Sequence, residues 1–564
     1  MTSRSYFVGV DVGTGSVRAA LVAENGKILK NHAGSTKTWN VQPDFYEQST
    51  DDIWAAVISC VKEVIKDVSP QDIKGIGFDA TCSLVCVDKF GNPLTVSPSG
   101  KTENFFKSNQ KANKILGNNQ QNVILWLDHR AVKETEYINS FNHPVLQYVG
   151  GKIFPEMETP KLLWLKKYLK DTWEKAGYFF DLPDFLTWRA TDSTSRSSCS
   201  LVCKWTYQMD VDGTESWNRT FFEQIGLSDL AQDNWSRIGS VVQYPGAPVE
   251  NGLSERAAKE LGLFPGTPVG TSMIDAHAGG LGLIGCKADN IDPHFETRVG
   301  LICGTSTCHM AVTKEATFAP GVWGPYKNAM IPGMWLNEGG QSATGKLLDH
   351  VIDSHPATPG IRKKLPGNMH ITQYLNNVIY DLAKKQQFSN PAYLTKDIHV
   401  YPDFHGNRLL ANPTLKGMIS GLTLNIDEEN LAMLYLATVQ ALSYGTRQIV
   451  DRLKESGYQN IKSTLICGGL SKNPIFTAAQ ANACNLPVIC PDEIESVLLG
   501  AAILGAVAAN HFGSVEHTIR SMGGKGKAVF PDPGIIGFHD KKYQVFLKMH
   551  DDQIKYREIM EGLV

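Results

Sequence analysis

VGVDVGTGSVRAALV, residues 8–22, returns in the second half of the chain as VGLICGTSTCHMAVT, residues 299–313. Val-Gly, Gly-Thr and a closing run of small apolar residues recur in the same places. Each copy reads as two short strands joined by a glycine-containing turn, because β-rich runs flank Gly13-Thr14-Gly15-Ser16 and Gly304-Thr305-Ser306. A glycine at such a tip removes the Cβ that would keep an anion away from the backbone N–H groups. The hydroxyls of Thr14 and Ser16 add donors, and Arg18 adds positive charge. The copies differ in one informative place: the first has an acid, Asp11, where the second has Ile302. Two phosphate-gripping hairpins, only one of which also handles a hard cation such as Mg²⁺, account for both the repetition and the difference.

The bulk numbers fit a large two-domain protein. A length of 564 residues exceeds what one hydrophobic core usually serves. A formal net charge of −3 lacks the basic excess of a nucleic-acid or membrane-surface binder. The N-terminus shows no signal peptide, and the longest apolar run, residues 497–509, falls short of the ~20 residues a membrane span needs, so it reads as a buried core helix. Eleven cysteines without a zinc-type C-x-x-C pair read as reduced thiols of a cytoplasmic protein.

Along the chain, the glycine hairpin is followed by a third strand centred on Ile28. Thr50 then caps a helix over residues 51–68, and IKGIGFDA forms a buried strand. The stretch PGTPVGTSMIDAHAGG, from Pro265, delivers Asp275 at the end of another strand, where a general base belongs. An N-cap aspartate is the plain alternative there. His277 is a weaker base candidate than Asp275 and reads better as a hydrogen-bonded structural histidine. The polar segment 287–297 reads as the domain boundary, dividing the chain into 1–290 and 291–564. CGGLSKNP, residues 467–474, is a strand ending in a double glycine, where Gly468, Gly469 and Asn473 suit an adenosine. No G-x-x-x-x-G-K-[ST] phosphate loop occurs.

Two glycine hairpins, one per half, with a double-glycine turn, resemble the two-lobed α/β superfold of actin, hexokinase and Hsp70. Over almost its full length the chain is similar to the FGGY carbohydrate kinases. The phrases that carry this are DVGTGSVR, WLDHRA, ETPKLLWL, DLPDFLTW, IDAHAGG, CGTSTCHM, EGGQSATGKLLD, DFHGNR and CGGLSKNP, in family order. DATCSLV and CSLVCKWTY point to the ribulokinase branch. The resemblance implies ATP and Mg²⁺ in the cleft between lobes and a pentulose as phosphoryl acceptor. D-ribulose is the first choice, and L-ribulose, xylulose or ribitol are the alternatives. It implies Asp275 as catalytic base and Asp11 as metal-handling acid. Thr14, Gly15, Ser16 and Arg18 would serve the first phosphate hairpin, with Gly304 and Thr305 in the second. Gly340 would line the nucleotide cleft, and Gly468, Gly469 and Asn473 would meet the adenosine. Ala80, Thr81, Asp128, Arg130, Lys204, Asp275 and Glu338 would meet the sugar. Gly15 stands where many relatives carry Thr or Gln, so one side-chain donor is missing. A homodimer is the family expectation. A non-catalytic, actin-like ATP-binding module is the alternative from another class.

Overall fold

The computed structural model describes residues 4–98, 121–410, 412 and 415–561. Its first sheet contains strands β1 (Tyr6–Val12), β2 (Ser16–Ala23), β3 (Ile28–Ser35), β4 (Ile73–Ala80) and β5 (Val269–Ile274), in the order β5-β4-β1-β2-β3. β1, β2 and β3 run antiparallel in succession, whereas β4 and β5 join parallel to β1. β1, β4 and β5 are apolar on both faces because both faces are covered, whereas β3 lies largely exposed at the edge. Helix α1 (Thr50–Ile65) covers one face with Ile53, Trp54, Val57, Cys60, Val61 and Val64. Its first helical residue is Thr50, so Ser49 and not Thr50 occupies the cap position.

The second sheet repeats the plan. β6 (Arg298–Cys303), β7 (Thr307–Thr313), β8 (Trp323–Lys327), β9 (Trp335–Gln341), β10 (Ser463–Cys467), β11 (Val488–Pro491) and β12 (Gly526–Val529) lie in the order β8-β9-β7-β6-β10-β11-β12. Without its two edge strands this reads β11-β10-β6-β7-β9, the first sheet's order in duplicate. The repeated phrase is therefore the opening hairpin of a duplicated fold. In both copies three residues span the turn: Gly13–Gly15 between β1 and β2, and Gly304–Ser306 between β6 and β7. Each tip is closed by one backbone bond, Gly13 N–H to Ser16 C=O at 2.9 Å and Gly304 N–H to Ser306 C=O at 2.8 Å.

A helix follows the fifth strand of each copy, and the two helices trade places. Helix α2 (Asp275–Ile284) follows β5 yet packs against β6 and β10 of the second sheet. Helix α3 (Ser496–Ala508) comes soon after β11 yet lies across β1, β4 and β5 of the first. The all-apolar run at 497–509 is this buried helix, and no helix among the described residues is long and apolar enough to cross a membrane. The close approach requires glycine. A Cβ on Gly77 would stand 2.0 Å from the Ala501 carbonyl oxygen, and one on Gly500 would stand 1.9 Å from that of Ala278. The sheets change between Ile284 and Arg298, but residues 496–508 pack on the first of them, so a single cut at 290/291 does not describe the packing.

Candidate active site

Both hairpin tips open onto one cavity of about 430 Å³. Gly13, Thr14, Ser16 and Arg18 line it from the first sheet, and Gly304, Thr305 and Ser306 from the second. Asp11 and Asp275 also line it. β5 ends at Ile274, so Asp275 is the first residue of α2 and not its N-cap; its Oδ1 accepts the Ala276 N–H at 2.7 Å. Burial, reinforced by the Asp11 charge, raises the Asp275 pKa to about 7. A carboxylate tuned there exchanges a proton at neutral pH, as a general base should.

A third carboxylate joins these two. Asp79 faces Asp11 across the β1–β4 pair and is fully buried. Neither of its oxygens has a hydrogen-bond donor. Burial, then the charges of Asp11 and Asp275, hold its pKa well above the usual carboxylate range. Reading the sequence did not mark Asp79, because its neighbours are set by strand register and not by adjacency in the chain.

Arg18 sits opposite Asp11 in the β1–β2 register and donates to the Asp11 carboxylate from Nε (2.8 Å) and Nη2. Its Nη1 donates to Glu495 at 2.7 Å, just before α3 begins. Its charge is thus shared between Asp11 and the segment that brings α3 home. Thr14 is braced by Trp126, whose indole N–H donates to the Thr14 hydroxyl at 3.0 Å. Trp126→Phe removes that bond and should lower stability by about 1 kcal/mol, read in urea unfolding.

The far wall is built by Lys204, Glu156, Arg408 and Glu338. Lys204 Nζ lies 3.4 Å from one Glu156 oxygen and 4.4 Å from the Trp323 ring centre. Arg408 Nη2 reaches the other Glu156 oxygen at 3.4 Å, so the first and second halves of the chain meet here in an ion pair. Burial opposes the charge on Lys204, but the anions around it, Glu338 and Glu156 among them, keep it protonated. Thr81 lines the cavity, and Ala80 ends β4 beneath it. Gly340 lies in an adjoining recess with Glu338 and Arg408. Gly15 stands at the exposed tip, with open space where a Cβ would go. Glu156 and Arg408 were not singled out in the sequence, since each becomes a wall residue only when the lobes come together.

Other expected contacts stand elsewhere. Asp128 and Arg130 have fully buried side chains outside the cavity lining. Arg130 donates to Asp128, Glu47 and the Val96 carbonyl, and stacks 4.3 Å from the Phe45 ring centre. They brace the loop carrying Trp126. Asn473 caps the helix Pro474–Cys484, its Oδ1 accepting the N–H groups of Ile475 and Phe476 while its Nδ2 donates to Tyr435. Gly468 has φ +84°, and a Cβ on it would be 1.9 Å from the Cys303 carbonyl, which places this turn directly behind the second hairpin. Gly469 has open space around its Cα. His277 is neutral: burial lowers its pKa to about 4.

The profile for the N-terminal domain of the FGGY family of carbohydrate kinases matches residues 6–121, and that for the C-terminal domain matches residues 299–509. An FGGY carbohydrate kinase domain-containing protein of Homo sapiens is 49% identical, with 98% of each chain covered. A D-ribulokinase of Saccharomyces cerevisiae is 37% identical over 90% of this chain and 72% of its own. Among solved structures, a xylulose kinase from Rhodospirillum rubrum shares the fold, with a TM-score of 0.75 at 17% identity, covering 98% of this chain and 99% of its own. With a duplicated fold, paired glycine hairpins around one cavity and these relatives, the chain belongs to the FGGY family of carbohydrate kinases and is a phosphotransferase acting on a sugar hydroxyl.

Proposed function

We propose that this kinase transfers the γ-phosphoryl group of ATP to the terminal hydroxyl of D-ribulose, giving D-ribulose 5-phosphate. The observation that carries the reaction is the convergence of both hairpins and Asp275 on one cavity. The acceptor rests on the similarity to the yeast protein named a D-ribulokinase. Asp275 accepts the proton of the C5 hydroxyl as that oxygen attacks phosphorus. The backbone N–H groups of the two hairpins and the hydroxyls of Thr14, Ser16 and Thr305 hold phosphate oxygens. Lys204 and Glu338 orient the sugar from the far wall, and closing the lobes excludes water. Phosphoryl transfer is governed mainly by such positioning and charge stabilisation.

Asp11 and Asp79 fit a hard divalent cation such as Mg²⁺, because Asp79 offers two buried oxygens with no donor of their own. When bound, such an ion would offset charge on the phosphates.

The test is ATP consumption measured with D-ribulose, L-ribulose, D-xylulose and ribitol. D-ribulose should give the highest kcat/KM by at least tenfold. A higher value with another acceptor replaces D-ribulose, and no sugar-dependent consumption returns the chain to the nucleotide-binding-module reading. The pH profile checks the base. Asp275 must be ionised to act, so log kcat/KM should rise with unit slope as pH climbs towards about 7 and then level off.

A further inference from the structure

Behind the sugar-facing wall is a cluster of soft and borderline ligand atoms for which the phosphoryl-transfer mechanism has no use. Helix α2 carries His277 two residues beyond Asp275. Residues Ser198–Lys204 form a helix that presents Cys199 and Cys203 on one side, four residues apart. The two sulfurs and one His277 ring nitrogen lie within 4.8 Å of one another, and all three residues are fully buried. Cys203 Sγ is 3.5 Å from His277 Nε2, and Glu338 Oε2 is 3.5 Å from the same nitrogen. That Glu338 oxygen is buried without a donor, and so is His277 Nδ1 without a partner.

These spacings suit a metal. Bonds of about 2.3 Å to sulfur and 2.0 Å to nitrogen at tetrahedral angles put the two ligand atoms roughly 3.5 Å apart. His277 Nδ1 has no partner while Nε2 faces the Cys203 sulfur, so the ring can carry its proton on one nitrogen and offer the other to an ion. Two thiolates balance the charge of a divalent ion, so no net charge is left in the fully buried cluster. His277 and Glu338 also line the cavity, which gives an ion its way in.

We propose that Cys199, Cys203 and His277 form a binding site for a thiophilic divalent metal of the zinc class, and that an ion bound there inhibits the enzyme. Binding exchanges two S–H protons, released to solvent, for two metal–sulfur bonds, with no change of oxidation state. Thiolate and imidazole ligands select such ions over Mg²⁺. Inhibition follows because the ion holds His277 on the cavity wall and attracts the Glu338 carboxylate, 3.5 Å from Nε2, away from the sugar; this half of the proposal rests on the sugar-kinase reading, whereas the binding half does not.

The probe is Cd²⁺ added to reduced protein without nucleotide, followed by thiolate-to-cadmium charge-transfer absorbance and equilibrium dialysis. One tightly held ion per chain is expected. Cys199→Ser/Cys203→Ser should weaken binding at least 100-fold and abolish the absorbance, and His277→Gln should weaken it about tenfold while leaving both thiols in place. Sugar-dependent turnover in the parent should fall with Zn²⁺ at the same stoichiometry, and turnover in the double-serine variant should resist it. An absorbance that survives the double substitution overturns the site. Equal Zn²⁺ sensitivity of parent and double variant overturns the inhibition. Because the absorbance needs no substrate, a chain that phosphorylates a different sugar still reports on the metal site.

Discussion

Asp275→Asn should retain no more than about one hundredth of the parental kcat, and at pH 8 it should melt at a higher temperature than the parent. The first effect follows from the base role proposed for Asp275, which takes the hydroxyl proton. The second follows from the linkage between ionisation and folding. Burial raises the folded pKa of Asp275 to about 7, whereas in the unfolded chain the group titrates near its ordinary value. The native state therefore binds the proton more tightly. The stability this group contributes is fully present below about pH 4 and is lost as pH rises towards about 7. Above that, the fold carries a desolvated charge, a penalty on the order of 4 kcal/mol that asparagine does not have. The hydrogen bond from the Ala276 N–H survives, since the asparagine oxygen accepts it equally. Kinetics and calorimetry on one sample check both. Near-parental turnover would remove Asp275 from the base role, and a lowered melting temperature would refute the stored penalty.

Gly500→Ala should reverse the usual sign of a helix substitution. Glycine to alanine inside a helix normally gains up to about 1 kcal/mol. Gly537, exposed in the C-terminal helix Pro533–Met560 with nothing within 4 Å of an added Cβ, should follow that rule. At Gly500 the added carbon would lie 1.9 Å from the Ala278 carbonyl oxygen, a backbone atom that no rotamer change can move. α2 and α3 must then part, and Asp275 moves with α2. A loss of about 3 kcal/mol is expected, the upper end for overpacking of a core, together with a fall in turnover. Urea unfolding of the two variants side by side decides it, and equal stability of Gly500→Ala and the parent would show that the helices are not in close contact.

What the sequence showed and what it hid divide along a physical line. The hairpins were visible because a glycine-tipped turn between β-rich runs is a local signal, and the duplicated topology follows from its recurrence. Asp275 was visible for the same reason, lying where a strand gives way to small residues. Asp79 was hidden because its partners lie one strand away in register. Glu156 and Arg408 were hidden because distant loops pair them across the cleft. WLDHRA was seen as a phrase, yet which of its side chains faces the cavity depends on how the loop turns, and Trp126 faces it while Asp128 and Arg130 do not. CGGLSKNP likewise hid the capping role that occupies Asn473. The uniformly apolar run at 497–509 identified a buried helix but carried no directional stripe to say which sheet it would cover.

The exchange of α2 and α3 has a consequence for dissecting the molecule. Residues 1–290 expressed alone would leave a glycine-floored trough along the first sheet uncovered, and the remainder of the chain would display an orphaned greasy helix. Neither fragment buries what it must, so each should aggregate, and the two should regain solubility only when co-produced. Heating the intact chain should accordingly give one calorimetric peak, not a separate peak for each lobe.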